Sequence, residues 1–509
     1  MAAQATVGSP FVSPPAAFDE LRIRLAEVSD VQHASGLLFW DQRTKMPPAG
    51  SEGRAEQVAT LGRIAHERFV DAAVGRLLEE LRPYEDSLPR ESFEASLIRV
   101  ARRDWEKATC VPPSLTAEMR RAGALGFRAW SEARAASDFS PLAPHLERNL
   151  ELKHRYVACF PPAEETYDIL LDDYEPGMKT AEVRAVFDEL KRELIPLVRA
   201  AGLPEPTPLL ELPRDGQERF ARRVLDRLGF DERSWRLDET AHPFMSSPGS
   251  GDVRLTTRWE PGLNWLFGAI HEFGHGVYEH DIDPALARTP LGGGVSLGLH
   301  ESQSRTWENL VGRSRPFWRF FYPQLQDAFP EHFGGLSEDD FGRMTNRVEP
   351  SLIRVDADEV TYNLHIILRF ELEQEMITGR LSAADVPEAW DAKMMEYLGV
   401  EVPDVADGAL QDTHWAGGAI GYFSTYALGN ITSAQLWERI SADIPDVYEQ
   451  IGRAEFAPLR EWLREHVHQH GRKYMPKELL ERVTGSSLDP QPLLKYLRAK
   501  LGEIYGLTS

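Results

Sequence analysis

The amino-acid sequence predicts a mainly α-helical protein with one small β element. Along most of the chain, apolar residues recur three and four positions apart, which is the spacing of a helix that buries one side. Pro-rich turns such as Val111-Pro112-Pro113 and Phe160-Pro161-Pro162 separate these segments and are typical of connections between helices. Residues 252–258 instead alternate with a period of two, which is typical of a short strand.

The N-terminal part of the chain is predicted to contain a flexible segment followed by two helices. Residues 1–15 are small and Pro-rich, so we expect a flexible N-terminal segment. A first helix is predicted by an apolar stripe: Phe18, Leu21, Leu25 and Val28. The prolines of Met46-Pro47-Pro48-Ala49-Gly50 predict a break. A second helix is predicted by the stripe that follows: Val58, Leu61, Ala65 and Phe69.

Later stretches continue the helical period to the end of the chain. Their apolar stripes are Phe187, Leu190, Leu194 and Val198; Leu364, Ile367, Leu368, Leu372 and Met376; and Leu459, Trp462, Leu463 and Val467. No internal repeat or low-complexity linker divides the sequence. We therefore expect one helical domain over residues 16–509, with an N-terminal helical part over about 16–235 and a catalytic part over about 236–509.

Charge and composition narrow the possible partners and location. The net charge of −23 argues against nucleic acid and anionic membranes as partners, because their phosphates would be repelled. The sequence shows neither a secretory signal at its start nor an apolar run of about 18 residues that could span a bilayer. Cys110 and Cys159 are too few for a disulfide framework and are expected to be buried thiols. Together these features predict a soluble, cytoplasmic protein.

The stretch most informative about function is His271-Glu272-Phe273-Gly274-His275, which matches the motif H-E-x-x-H. Two histidines four residues apart lie one above the other on a helix, so both imidazoles can bind one metal ion. Glu272 lies beside them, where a carboxylate can take a proton from a water held by the metal. Pro261 suits the first position of this helix. An apolar stripe supports the helix: Leu266, Ile270, Phe273 and Val277.

A catalytic zinc site needs a third protein ligand besides the two histidines and an open position for water or substrate. Glu301 and Glu308 both follow the motif at a plausible distance. Because they are seven residues apart, they lie on nearly the same face of a helix. The helical period therefore leaves both candidates open.

Further motifs give the sequence a resemblance that extends over nearly its whole length. They are Trp40-Asp41 with Met46-Pro47, His242-Pro243-Phe244, Asp252-Val253-Arg254-Leu255-Thr256, His271 to His275, His300-Glu301-Ser302-Gln303, Ile353-Arg354-Val355-Asp356-Ala357-Asp358 and Gly408-Ala409-Leu410-Gln411-Asp412-Thr413-His414-Trp415. In content and order this set resembles the M32 family of zinc metallocarboxypeptidases, also called the thermostable carboxypeptidase family.

The resemblance implies several properties that the residues alone leave open. It implies that Glu301, in the H-E-S-Q motif, is the third zinc ligand. It implies one Zn²⁺ per chain, with Co²⁺ or Mn²⁺ as possible substitutes, and a mainly helical fold with a deep substrate groove. It also implies the release of single residues from peptides with a free C-terminus, broad specificity, and a homodimer.

Roles for further residues follow from this implied chemistry. Besides the metal, a tetrahedral oxyanion needs hydrogen-bond donors, for which His414 and Tyr422 are the candidates, with Tyr426 in reserve. A free terminal carboxylate suits the planar guanidinium of an arginine. We expect this arginine to be Arg354, and Arg254 is the alternative.

Two other functions compete with a carboxypeptidase. An oligopeptidase or dipeptidyl carboxypeptidase would use the same catalytic residues in a similar groove. An inactive peptide-binding scaffold would keep the groove alone. The presence of both motif histidines and Glu272 argues against the scaffold.

Overall fold

The structure, a computed structural model, describes residues 14–201 and 210–505. Within these ranges the chain is mainly helical and has one three-stranded sheet, which confirms the predicted fold class. The predicted flexible segment, residues 1–15, lies outside the described residues except for Pro14 and Pro15. No helix in the described part is long and apolar enough to cross a membrane.

The chain divides into two compact units. One comprises Met1–Thr109 and Ala285–Gly292, and the other comprises Cys110–Pro284 and Gly293–Ser509. The predicted single domain over residues 16–509, with its internal boundary near 235, stays a prediction, because compactness alone does not decide whether each unit folds independently.

The first unit is built from α-helices. They are α1 (Ala16–Thr44), α2 (Ser51–Phe69), α3 (Ala72–Glu80), α4 (Arg82–Asp86) and α5 (Phe93–Cys110). All four residues of the first predicted stripe are buried on α1, which ends just before the predicted proline break. After a 3₁₀ turn at Pro48–Gly50, α2 begins; it buries Ala65 and half-buries the other three residues of its stripe.

The helices of the second unit carry the candidate site. They are α6 (Pro113–Ala136), α7 (Ala143–Val157), α8 (Thr166–Leu171), α9 (Thr180–Ala201), α10 (Arg214–Leu228), α11 (Asn264–His280), α12 (Leu297–Arg305), α13 (Arg315–Ala328), α14 (Pro330–Phe333), α15 (Glu338–Thr345), α16 (Thr361–Ile377), α17 (Val386–Leu398), α18 (Ser424–Asp443), α19 (Val447–Gly452), α20 (Ala457–His466), α21 (Pro476–Thr484) and α22 (Gln491–Tyr505). A π-helical segment, Thr306–Gly312, follows α12 directly. Short 3₁₀ turns lie at Arg354–Asp356, Ala383–Asp385 and His468–His470, and a further one, Pro284–Leu286, lies where the chain passes from the second unit into the first.

The sheet lies against the motif helix. Its strands are β1 (Trp235–Glu239), β2 (Met245–Gly249) and β3 (Asp252–Thr257). β3 is the predicted strand and lies in the middle, parallel to β1 and antiparallel to β2. Neither β1 nor β2 was predicted; the Ser/Gly-rich sequence of β2 is typical of a loop, and its pairing with β3 overrides that weak propensity.

Two large apolar clusters form the core of the second unit. One packs α10, the sheet, α11, α13 and α20, and the other packs α9, α16, α17 and α18. The later predicted stripes lie on α9, α16 and α20, although Val467 lies one residue past the end of α20. The candidate site lies where α12 packs between α11 and α18.

Two local predictions are wrong. Helix α11 begins at Asn264 and not at Pro261, because Gly262 between them has a φ of +79° and interrupts the helix. The thiols are not both buried: Cys110 is exposed and Cys159 is half-buried.

Candidate active site

Helix α11 carries three of the predicted site residues on consecutive turns. His271 and His275 lie one above the other, with their ring centroids 4.9 Å apart. Glu272 is buried beside them. This is the arrangement that the four-residue spacing predicts for a helix.

Two glycines let α12 approach the neighbouring helices closely. A Cβ at Gly274 of α11 would lie 2.6 Å from the carbonyl oxygen of Gln303, and a Cβ at Gly429 of α18 would lie 2.6 Å from Cβ of Glu301. Such distances exclude any side chain without movement of backbone. The close approach on both sides brings the side chain of Glu301 to the two histidines.

Glu301, His271 and His275 form a group that fits one metal ion. Oε2 of Glu301 lies 3.4 Å from Nε2 of His275 and 3.6 Å from Nε2 of His271. One ligand atom from each side chain falls within 4.8 Å of the other two. Two imidazoles and one carboxylate are a donor set typical of a catalytic zinc site, and three protein ligands leave a position open.

The charge of Glu301 is stabilised although the carboxylate is buried. Burial alone would raise its pKa, but Arg305 and His271 outweigh burial and hold the pKa of Glu301 well below its usual range. Nε of Arg305 donates to Oε1 at 2.7 Å, and the hydroxyl of Ser304 donates to Oε2 at 3.1 Å. The carboxylate therefore stays ionised, as a metal ligand requires.

Glu308, the alternative third ligand, faces the other side of His271. Its Oε2 lies 2.9 Å from Nδ1 of His271, and it also pairs with Arg305 and Arg313. The residue lies in the π-helical segment Thr306–Gly312, whose wider turn changes the direction of the side chain relative to a regular helix. Glu308 thus contacts Nδ1 of His271, whereas Glu301 faces Nε2 of the same ring.

The two histidines differ in their electrostatic surroundings. Burial lowers the pKa of His271, but the carboxylates of Glu301 and Glu308 outweigh burial, so the net shift is upward. Burial lowers the pKa of His275 to about 4, although Glu301 opposes this shift. His275 is consequently neutral at pH 7, the state in which an imidazole binds a metal.

Glu272 has the properties of a general base. Burial raises its pKa to about 7. A carboxyl group whose pKa lies near neutral pH can both accept and return a proton under physiological conditions.

A cavity of about 650 Å³ opens onto these residues. The residues that line it include His271, Glu272, Glu301, Arg354, Tyr362 and Tyr426. Five of the sequence-predicted residues are therefore brought to one cavity, whose volume suits a small peptide segment or a drug-sized ligand.

Arg354 lies in the cavity wall and is almost fully buried. Its guanidinium donates to Oδ1 of Asp412 at 2.7 Å and to the hydroxyl of Tyr362 at 2.9 Å. Arg369, fully buried, pairs with the other oxygen of Asp412 at 2.7 Å. One carboxylate thus holds two arginine side chains.

The alternative arginine, Arg254, lies on β3 and is not among the residues that line the cavity. Its Nε and Nη2 each lie 2.8 Å from an oxygen of Asp252, two residues earlier on the same strand. The structure thus brings Arg354, and not Arg254, to the cavity that contains Glu272.

His414 and the two tyrosines form an aromatic group next to the cavity. The ring centroids of His414 and Tyr422 are 5.0 Å apart, and the hydroxyls of Tyr422 and Tyr426 are 3.4 Å apart. Of these three, Tyr426 lines the cavity. Burial lowers the pKa of His414 to about 4, so its imidazole is neutral at pH 7.

Sequence reasoning missed the residues that hold the metal-site side chains in place. Arg305 follows Glu301 by four residues on the same helix, and that spacing was a usable signal for an ion pair. His300 precedes Glu301 and lies 2.6 Å from His275, Nδ1 to Nδ1. No sequence pattern indicates this last contact, because it depends on how α11 and α12 pack.

Comparison with known proteins identifies the family of the chain. Residues 20–501 match the model of the family described as carboxypeptidase Taq (M32) metallopeptidase. The chain is 42% identical to thermostable carboxypeptidase 1 of Thermus thermophilus, over 97% of this chain and 100% of that protein. It is 38% identical to carboxypeptidase 1 of Bacillus subtilis, over 94% of this chain and 97% of that protein.

Solved structures show the same fold. An M32 carboxypeptidase from Deinococcus radiodurans superposes with a TM-score of 0.93 at 43% identity, covering 97% of this chain and 100% of that one. A carboxypeptidase from Pyrococcus furiosus gives a TM-score of 0.93 at 37% identity, covering 96% and 99%. The family match spans almost the whole chain and includes every element of the site described above. The chain therefore belongs to the carboxypeptidase Taq (M32) family of metallopeptidases.

Proposed function

We propose that this M32 carboxypeptidase is a zinc enzyme that releases single amino acids of broad identity from the free C-termini of peptides. The observation that carries the proposal is the convergence of His271, His275 and Glu301 within 4.8 Å beside the buried carboxylate of Glu272. A divalent ion held there supplies Lewis-acid activation of water and of the scissile carbonyl.

Glu272 is the proposed general base and acid. It takes a proton as water attacks the scissile carbonyl and passes that proton to the leaving amine. Its pKa of about 7 suits both directions of transfer.

His414 and Tyr422 are the proposed donors to the oxyanion, with Tyr426 as the second tyrosine. The 3.4 Å contact between the tyrosine hydroxyls supports a joint role, in which one tyrosine orients the other. The position of Tyr426 in the cavity wall favours it for direct contact with substrate.

Arg354 is the proposed receptor of the terminal carboxylate, and Arg254 stays the alternative. Support for Arg354 comes from its place in the wall of the cavity that contains Glu272. Asp412 and Tyr362 hold its guanidinium in one orientation, so little side-chain entropy is lost when a carboxylate binds.

We also propose that the enzyme is a cytoplasmic homodimer that acts on peptides with a free C-terminus. Sedimentation or light scattering of the purified protein measures the dimer directly. A monomer at all concentrations would contradict this part of the proposal and leave the chemistry unaffected.

Matched peptides test the substrate class. We expect a peptide with a free C-terminus to lose residues one at a time, and its C-terminally amidated twin to persist, because Arg354 requires a carboxylate. Mass spectrometry of a time course measures both. Release of dipeptides would indicate a dipeptidyl carboxypeptidase, and internal cleavage of both peptides would indicate an oligopeptidase. A wild-type protein that binds both peptides and cleaves neither would be a scaffold.

Removal of the metal tests the cofactor. We expect dialysis against a strong chelator to abolish hydrolysis, because Glu272 alone cannot activate water enough for peptide cleavage. One equivalent of Zn²⁺ per chain restores it, and Co²⁺ or Mn²⁺ restores part of it, since the same ligands accept these ions. Undiminished activity in metal-free protein would contradict the proposal.

A further inference from the structure

A chain of hydrogen bonds leads from His275 away from the cavity. Nδ1 of His275 lies 2.6 Å from Nδ1 of His300, and Nε2 of His300 lies 3.0 Å from Oε1 of Glu279. The amide of Gly294 donates to the same Oε1 at 3.0 Å. The side chains of His275, His300 and Glu279 are only 18%, 17% and 16% exposed, so water competes little for these bonds.

The local packing leaves a close-fitting place for the His300 ring. A Cβ at Gly294 would lie 2.6 Å from Cδ2 of His300, so only a glycine fits there. The ring of Tyr278 lies 5.2 Å from that of His300, centroid to centroid. The ring is therefore held by contacts on several sides and not only by its two hydrogen bonds.

One arrangement of hydrogens satisfies the whole chain. Nε2 of His275 faces Glu301 and must be unprotonated to bind a metal, so its hydrogen is on Nδ1. Nδ1 of His300 must then accept that hydrogen bond. The hydrogen of His300 consequently lies on Nε2, from which it donates to Glu279.

His271 has a different partner. Its Nδ1 faces the carboxylate of Glu308 directly, at 2.9 Å. His275 instead faces the ring of His300, and the carboxylate of Glu279 lies one hydrogen bond further away. The two proposed metal histidines are therefore oriented by different partners, His271 by the carboxylate of Glu308 and His275 by the imidazole of His300.

We propose that His300 and Glu279 are positioning residues of the metal site. His300 accepts the hydrogen bond that fixes the ring and tautomer of His275, and Glu279 fixes the tautomer of His300. This inference rests on the metal centre proposed above, but it does not depend on the peptide substrate.

Zinc affinity tests the proposal without reference to activity. Apo-protein of the wild type, His300→Leu and His300→Asn is titrated with Zn²⁺ against a chromophoric chelator. We expect about a 10- to 100-fold weaker affinity for His300→Leu, because the acceptor is lost. The loss in His300→Asn is smaller, because the amide oxygen can accept from His275 although the link to Glu279 is absent.

His468→Asn is the matched control. This buried histidine contacts the same Tyr278 ring, 5.1 Å between centroids, and bonds to Gln303 rather than to either metal histidine. We expect it to keep wild-type zinc affinity. The melting temperature of each apo-protein is measured in parallel, and the Asn variant of His300 provides the comparison if the Leu variant does not fold.

Two results would overturn the proposal. One is equal zinc affinity in wild type and both His300 variants. The other is a loss in His468→Asn as large as that in His300→Leu, which would indicate general loosening of the core. If the wild-type apo-protein binds no zinc in this titration, the proposed metal centre itself is wrong. This outcome is seen before any variant is compared.

Discussion

Glu272→Gln lowers kcat by about 10²- to 10⁴-fold, since the amide can neither take a proton from water nor return one to the leaving amine. The substitution keeps the size of the side chain and removes a buried carboxylate that has no arginine partner in the site, so we expect the fold to persist. The proposed ligands His271, His275 and Glu301 are unchanged in this variant. Steady-state kinetics, metal analysis and thermal melting of the same preparation measure the three effects.

Glu260→Gln provides a control for this experiment. Glu260 also lines the cavity and pairs with Arg258, but it is not a neighbour of the metal ligands in sequence. We expect a change of less than about tenfold in kcat/KM. Wild-type activity in Glu272→Gln with normal metal content would contradict the proposed role, and a loss of metal in that variant would assign Glu272 to metal binding instead.

Asp412→Asn is expected to cause the largest loss of stability. Its carboxylate pairs with Arg354 and Arg369, both almost fully buried. Removing one partner from a buried ion pair leaves uncompensated charge and costs about 3–5 kcal/mol of the free energy of unfolding. The melting temperature should fall by several degrees. Because Arg354 loses its orientation, KM for peptides with a free C-terminus should rise as well.

A matched change at the surface separates this effect from the loss of a charge in general. Glu132 pairs with Arg128, and both side chains are more than half exposed. Glu132→Gln should leave the melting temperature and KM unchanged, because water screens such pairs. If Asp412→Asn melts at the wild-type temperature, other groups neutralise the charges of Arg354 and Arg369. The stabilising role assigned to Asp412 is then wrong.

The sequence predicted well those features that depend on spacing along one helix. The positions of His271, Glu272 and His275 on α11 followed from a four-residue interval and an apolar stripe. The strand β3 followed from alternation. Such patterns involve residues close together in the sequence, so they do not depend on how distant segments pack.

Features that depend on contacts between distant segments could not be predicted in the same way. The helical period did not distinguish Glu301 from Glu308, and the resemblance to a family motif made Glu301 the predicted ligand. The pairing of Arg354 with Asp412 joins residues 58 positions apart. The strands β1 and β2 form because the backbone of β3 pairs with both of them. The sequences of β1 and β2 do not themselves indicate strands.

The π-helical segment Thr306–Gly312 places the carboxylate of Glu308 at Nδ1 of His271 and not at Nε2, the nitrogen that faces Glu301. Two imidazoles and one carboxylate are thus left for the proposed metal, and the fourth position of a tetrahedral shell stays open for water or substrate, whereas structural zinc sites fill all four positions with protein ligands.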